Sequence, residues 1–296
     1  MESRSRKKKS IMGPIRKIGG AVRNKIGNQY IQYRSKKEGH SAFQQKVPIF
    51  IDSSRYIVRT ASSYEELRQA LRLRYQVFIR EGLHRRKAMG LDIDRFDFVA
   101  DHLLVEDKAS GSVVGTYRII SSLFSNEFYS DSEFELSDFL KEPGIKLELG
   151  RACIEIEHRN GAVLTLLWKG ILEYMSLTNS RYLFGCASIK TVSIREIASV
   201  TLHLIKEDKL SDRWNIRPTD AYCARGLEKE LARLSALGPT DAAAEKIPPL
   251  LRSYFKAGAK IMGMPALDWD FQCIDFLTIL EKDLLDGSYS RKFSSR

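Results

Sequence analysis

Apolar positions recur along this chain with periods of two and of three to four. Their alternation predicts a mixed α/β body. Residues 56–59 read as a short strand. Ser63 then opens a helical series through Leu67, Ala70, Leu71, Leu73 and Val77, and Ser63 with Glu66 three positions on makes a capping box. Gly82 ends that helix, and residues 83–100 are charged and loop-rich. Residues 102–106 and 113–119 favour strands, and the short polar link with Gly111 makes them a hairpin. Residues 121–145 read as a long connection. A strand at 146–156, a turn at 157–161 and a helix at 162–179 follow, the helix placing Leu164, Leu167, Trp168, Ile171, Leu172 and Met175 on one side.

Farther on, 182–187 is a short buried strand and 194–210 a helix. Residues 212–224 are irregular or β, and 226–237 are helical in part. Residues 240–247 read as a linker before Pro248–Pro249, which suit the start of a helix running to about Gly258. Residues 273–280 form a last strand. No internal repeat is visible. Three divisions follow: a basic, amphipathic or solvated arm at 1–45, a folded domain at 46–286 and a basic tail at 287–296.

Charge sharpens this division. Residues 1–40 hold twelve Lys/Arg against two acids, so the arm carries nearly all of the net charge of +11. The remaining body is close to neutral, which argues against a nucleic-acid-binding surface. Ile11, Ile15, Ile18, Val22 and Ile26 recur at helical spacing between basic residues. That pattern fits a segment ordering on an anionic membrane, while Gly13, Pro14, Gly19 and Gly20 favour a solvated tail. No apolar run has the roughly 18 residues of a membrane span, and no apolar stretch of a secretory signal follows the basic start. The four cysteines lack CxxC spacing, which argues against a zinc site or disulfide framework and points to a reducing compartment.

Candidate chemistry sits at three places. The turn HRNGA before a helix leaves backbone N–H groups for a phosphate, with Gly161 allowing close approach and Arg159 adding charge. In KLELGRACIEI, strand alternation points Glu148 and Arg151 to opposite faces. A bulge at Gly150 would bring both to one side, but a structural ion pair or two separately satisfied residues is the simpler reading. In LDIDRFDFVADH, Asp92, Asp94, Asp97 and Asp101 crowd together without the order of an EF-hand. They suit a carboxylate pocket for a cationic substrate or a solvated acidic loop, and not all of them should face one way. Cys186 reads as a small buried hydrophobe at a strand end, and no nucleophile–base pair is visible.

Together LRLRYQVF, LDIDRFD, ADHLLVEDKASGSVVGTYRI, ELGRACI, LLWKGILEY and LFGCAS resemble the ornithine-acyl carrier protein N-acyltransferase family. These are hemolysin-like members of the GNAT N-acetyltransferase superfamily, related to the acyl-homoserine lactone synthases. The resemblance covers about residues 55–190 and continues weakly through IPPLLRSYFKAGAKIMG and CIDFLTIL. Arg74 and Phe78 match the Arg and Phe of the lactone synthases' first helix, Asp94 and Asp97 their paired acids, Arg118 their strand arginine, and Glu148 and Arg151 their final pair. Their tryptophan is replaced by His84. That replacement, the longer C-terminal half and the basic arm favour the lipid-forming branch.

The resemblance implies a three-layer α/β/α GNAT acyltransferase fold with a central mixed sheet carrying Glu148. It implies transfer of a long, 3-hydroxylated acyl chain from the phosphopantetheine thioester of acyl carrier protein to the α-amine of an amino acid, with ornithine the leading acceptor. Glu148 would be the general base. Asp94 and Asp97 would pair with the acceptor's cationic groups or organise Arg74, and Arg118 and Arg151 would hold a carboxylate or brace the acids. Phe78 would line the substrate site. Arg159, Asn160, Gly161 and Ala162 would bind the phosphopantetheine, although this turn has one glycine where the superfamily loop has two. No metal or redox cofactor is implied. A cytoplasmic enzyme peripheral at the inner membrane surface would result. Another acceptor such as glycine, a homoserine lactone signal, or a silent binding module of the same fold are the alternatives.

Overall fold

The computed structural model describes residues 43–236, 242–285 and 287. Among these residues twelve strands are interspersed with helices. They are β1 (Phe50–Asp52), β2 (Tyr56–Thr60), β3 (Asp101–Asp107), β4 (Ser112–Ser121), β5 (Phe134–Glu135), β6 (Ile145–Ile154), β7 (Ser180–Ile189), β8 (Leu210–Ser211), β9 (Arg217–Pro218), β10 (Lys260–Met262), β11 (Ala266–Asp268) and β12 (Cys273–Glu281). The α-helices are α1 (Tyr64–Arg74), α2 (Ser137–Lys141), α3 (Ala162–Leu177), α4 (Ile194–Lys206), α5 (Leu227–Ser235), α6 (Ala242–Glu245) and α7 (Pro249–Ala257). The arm expected at 1–45 lies almost wholly outside the described residues, as does the tail.

Ten strands form one mixed sheet in the order β1-β2-β3-β4-β6-β7-β12-β10-β8, with β11 on β12. Among the described residues only β6–β7 and β8–β10 pair in parallel. Strand alternation explains why helices cover both faces. Leu103, Val105, Tyr117 and Ile119 meet Leu167, Trp168 and Ile171 of α3 on one face. Leu104 meets Leu67, Ala70 and Leu71 of α1 on the other. Farther along that second face, Ile120, Phe184 and Leu277 meet Phe128, Phe134, Phe139 and Trp214.

Several elements differ from the sequence reading. Ser63 caps α1 by accepting from the Glu66 amide, but Glu66 returns its carboxylate to Ser62 rather than to Ser63. The helix leaves α-geometry at Tyr75 and continues as a π-helical segment to Gly82. The connection at 121–145 contains β5 and α2, and the linker at 240–247 contains α6. β7 is ten residues long, so Cys186 lies inside it rather than at its end. The short strands β1, β8, β10 and β11 have too few residues to display a period.

The β6–β7 pair fixes the site. Its ladder runs from Ile145–Ser180 to Glu148–Phe184 and then stops, although both strands continue. Gly185 follows at the point of divergence. A Cβ there would stand 2.2 Å from the Leu149 carbonyl oxygen. Backbone cannot give way as a flexible side chain can, so Gly185→Ala is expected to force the two strands apart. The expected cost is about 1–3 kcal/mol, as for overpacking in a core. Thermal denaturation checks this, and an unchanged midpoint would show that the strands absorb the methyl.

Candidate active site

β6 carries a bulge where it faces β4. Arg118 opposes Gly150 but Thr116 opposes Cys153, so β6 contains one extra residue. The left-handed residue is Arg151, with φ 53°, and not Gly150. A non-glycine residue held there stores about 1–3 kcal/mol of strain and persists only where surroundings fix it. Arg151 Nη2 donates to Asp94 Oδ2 at 3.0 Å. Its guanidinium sits over the rings of Tyr129 at 4.6 Å and Phe271 at 5.0 Å. The bulge brings Glu148 and Arg151 to line one cavity of about 320 Å³, and they form no pair with each other. The expectation of opposite faces fails because the extra residue breaks the alternation.

Glu148 is 2% exposed. Its Oε2 accepts from the Tyr129 amide at 2.7 Å, and its Oε1 accepts from the Ser130 amide at 2.6 Å and the Ser130 hydroxyl at 2.5 Å. Burial pushes its carboxyl up, and these three donors only partly offset that rise. It stands where β6 and β7 part. Leu149 to Ala152 line the cavity on one side of the opening and Cys186 to Ser188 on the other.

The acids of LDIDRFD are neither a solvated loop nor a pocket for a foreign cation. Arg74 donates to Asp92 Oδ2 at 2.9 Å and to Asp97 Oδ1 at 2.6 Å. Arg118 bonds both oxygens of Asp94 at 2.7 and 2.8 Å. With Arg151, three arginines thus meet three aspartates. Burial disfavours the ionised acids, but Arg74, Arg151 and Lys87 hold Asp92 well below the usual carboxylate range. Arg118, Arg151 and Arg74 do the same for Asp94. The 3₁₀ turn Arg95–Phe98 converges the acids, because Asp94 and Asp97 cap it reciprocally. Asp101 turns elsewhere, accepting from the Lys46 and Val47 amides and the Tyr174 hydroxyl.

Phe78 lines the cavity from the π-helical segment, beside Val77, Gly82 and Leu83. His84 is exposed and lies outside the lining. The 159–162 turn is also exposed and outside it. Arg159 is tied down there, donating to the Ile154 carbonyl at 2.8 Å and to Glu81 at 3.0 Å. Asn160 accepts from the Ala162 amide at 3.1 Å, and Gly161, with φ 87°, begins α3.

Sequence reasoning missed Glu133, Asp268 and Asp275, which line the same cavity. Asp275 left a signal, a lone acid inside the apolar run CIDFLTIL. Glu133 and Asp268 left none, since each sits in a stretch with no period.

Comparison with known proteins places this geometry. An acetyltransferase (GNAT) domain model matches residues 73–169, which span α1's end through β6 and half of α3. L-ornithine N(alpha)-acyltransferase of Rhizobium meliloti (strain 1021) is 33% identical over 253 residues, covering 78% of this chain and 81% of that protein. The protein of the same name from Agrobacterium fabrum (strain C58 / ATCC 33970) is 32% identical over 247 residues, covering 78% and 82%. Among solved structures, the acyl-homoserine lactone synthase LasI aligns with a TM-score of 0.43 at 16% identity, over 77% of this chain and 91% of that one. Among the described residues no helix is long and apolar enough to cross a membrane. An identity of one third, sustained across four fifths of the Rhizobium meliloti protein, makes this chain an acyltransferase with the GNAT fold and a member of the L-ornithine N(alpha)-acyltransferase family.

Proposed function

We propose that the enzyme moves a long, 3-hydroxylated acyl chain from the phosphopantetheine thioester of acyl carrier protein to the α-amine of ornithine, forming a lyso-ornithine lipid. The observation that carries this reading is Glu148, a buried carboxylate standing where β6 and β7 separate inside the cavity. The relatives' shared name supplies the acceptor.

The α-ammonium must lose a proton before its lone pair attacks the thioester carbonyl. Glu148, directly or through a water, accepts the proton that the nitrogen sheds. A main-chain N–H of β6 facing the gap stabilises the oxyanion. Collapse breaks the C–S bond, and the pantetheine thiolate leaves and takes up a proton. The thioester is already activated, so these steps call on no metal or redox cofactor. Arg118 and Arg151 brace the acids, and the Nε of each has no hydrogen-bond partner among the described residues. Arg151 Nε faces Asp92 at 3.6 Å, and it is the cavity-lining guanidinium as a whole that would hold the acceptor's α-carboxylate. The single phosphate of the carrier's prosthetic group suits the one-glycine turn at Arg159–Ala162.

The deciding experiment incubates purified protein with 3-hydroxyacyl-acyl carrier protein and a pool of amino acids, read by mass spectrometry. N-acyl-ornithine is expected. Acylation of a different amino acid would replace the acceptor, and no product from folded protein would overturn the reading.

The product is amphiphilic and the carrier acidic, so the basic arm suits a peripheral site at an anionic membrane. Deleting residues 1–40 removes +10 of charge and is expected to lower partitioning onto anionic liposomes while leaving the melting temperature unchanged. Undiminished partitioning in sedimentation assays would discard the membrane role.

A further inference from the structure

Three carboxylates in the cavity take no part in the steps above. Glu133 follows the turn that caps Glu148, Asp268 ends β11, and Asp275 lies in β12. They are 0%, 4% and 3% exposed, and all line the cavity. Strand register gathers the two aspartates, and the Cys186 thiol of β7 donates to Glu133. Asp275 opposes Ser188, whose hydroxyl donates to it, and Asp268 opposes Cys273. Carboxylate oxygens of Asp268 and Asp275 lie within 4.8 Å of each other and of the Cys273 thiol.

Among the described residues no Lys or Arg forms an ion pair with these three carboxylates. Asp92, Asp94 and Asp97 are matched by Arg74, Arg118 and Arg151. Arg151 is the cation felt by Asp268 and Asp275, but its ion pairs go to Asp94 and Asp92. Asp268 accepts from the Asp270 and Phe271 amides, and Glu133 Oε2 accepts from the Cys186 thiol. Glu133 Oε1 has no hydrogen-bond partner among the described residues, although fully buried. Burial, Asp275 and Asp268 push the Glu133 carboxyl well up, and Asp275 is pushed up to about 6. Such a cluster is costly until a cation arrives.

We infer that Glu133, Asp268 and Asp275 bind the terminal ammonium of a diamino-acid acceptor. The inference rests on the acyl-transfer reading and names what sets its acceptor specificity. An ammonium offers three N–H donors, one for each carboxylate. The same negative field keeps the bound ammonium protonated, so it has no lone pair with which to attack. Acylation is thereby confined to the α-amine. The neighbouring Cys273 thiol, pushed up by burial and by Asp275, stays protonated and donates to Asp275, which suits an ammonium better than a thiolate-bound metal.

The test uses the full-length enzyme and Glu133→Gln, Asp268→Asn and Asp275→Asn, singly and combined. KM and kcat are measured for ornithine and for norvaline, which has the same backbone and chain length but ends in a methyl. Wild type is expected to favour ornithine by at least about a hundredfold in kcat/KM. Each variant is expected to raise KM for ornithine at least about tenfold. Turnover of norvaline should be unchanged or improved, which also shows that the variants fold. Equal loss on both acceptors would make the cluster structural and overturn the inference. Equal use of both acceptors by wild type would overturn it while leaving acyl transfer standing. Acylation of neither would remove both readings. Loss of ornithine turnover on chelation, restored by zinc, would assign the cluster to a metal instead.

Discussion

Replacing Arg74 with methionine is expected to lower the free energy of unfolding by about 3–5 kcal/mol, the cost of stripping one partner from a buried ion pair. Arg74 is fully buried and divides its guanidinium between Asp92 and Asp97, themselves 3% and 0% exposed. Methionine fills much of the volume but removes the shared guanidinium, leaving Asp92 only Lys87 and Arg151 and Asp97 only Arg118 as cationic partners. In a domain of this size the loss should appear as a fall on the order of 10 °C in melting temperature. The pH dependence gives a second reading. In the wild type, Asp92 and Asp94 are held below their unfolded values, so they contribute stability above about pH 4 that is lost as pH falls through the folded values. Without Arg74, Asp92 loses its principal cation and its folded pKa rises. The deficit of the variant should therefore shrink as the pH is lowered and the acid becomes neutral. A deficit independent of pH, or none at all, would mean that Arg151 and Lys87 already suffice for Asp92.

This network shows where the sequence was legible. LDIDRFD and the arginines at 74, 118 and 151 were visible as chemistry-bearing residues, because charged groups inside apolar periodic segments stand out. Which of the two roles the resemblance implied they play, meeting a substrate's charges or bracing one another, was not visible; the structure shows the second. Whether an aspartate meets a substrate amine or an internal guanidinium depends on three strands and a helix that meet only in the fold. The same limit applies to Glu148 and Arg151. Three residues apart on a regular strand they would face opposite ways, and the extra residue that reverses this is set by pairing with β4. The main helices and long strands were legible because each buries one face for many residues. The π-helical segment was not, since its apolar spacing through Val77, Phe78 and Ile79 is close to that of an α-helix. Glu133 lies 135 residues or more from Asp268 and Asp275, strand register joins only the two aspartates, and only the fold lines one cavity with all three.

That union divides the labour inside one cavity. The arginine–aspartate network answers its own charge and ties down the bulge at Arg151. The second acidic group has no ion pair among the described residues, which is why it is the one proposed to receive a substrate's ammonium. Glu148 lies between these roles, anchored by donors yet without a cation in hydrogen-bond contact.

Glu148→Gln is accordingly expected to reduce kcat for acyl transfer by about 10²–10⁴-fold, the range for losing a positioned acid–base group. The substitution keeps size and shape but removes the proton acceptor. It also turns one carboxylate oxygen into an N–H₂ group beside the Tyr129 and Ser130 amides, so stability should fall by about 1–3 kcal/mol. That secondary effect is separable. A purely structural residue would alter the melting temperature and leave the shape of the pH profile intact. A base alters the profile itself, because transfer requires the ionised carboxylate. Burial sets that ionisation above the usual glutamate range, so wild-type kcat should rise with pH along an acid limb displaced upward from about 4.5. In the Gln variant that limb should vanish, leaving only the titration of the acceptor amine. Ser130→Ala offers a graded control, since it removes one donor to Glu148 while sparing the carboxylate and both backbone donors. Losing that donor raises the carboxyl further, so the acid limb of Ser130→Ala should move to higher pH with little loss at its plateau. If Glu148→Gln turns over normally, or keeps the wild-type acid limb, another group takes the proton and the assignment of Glu148 as base falls.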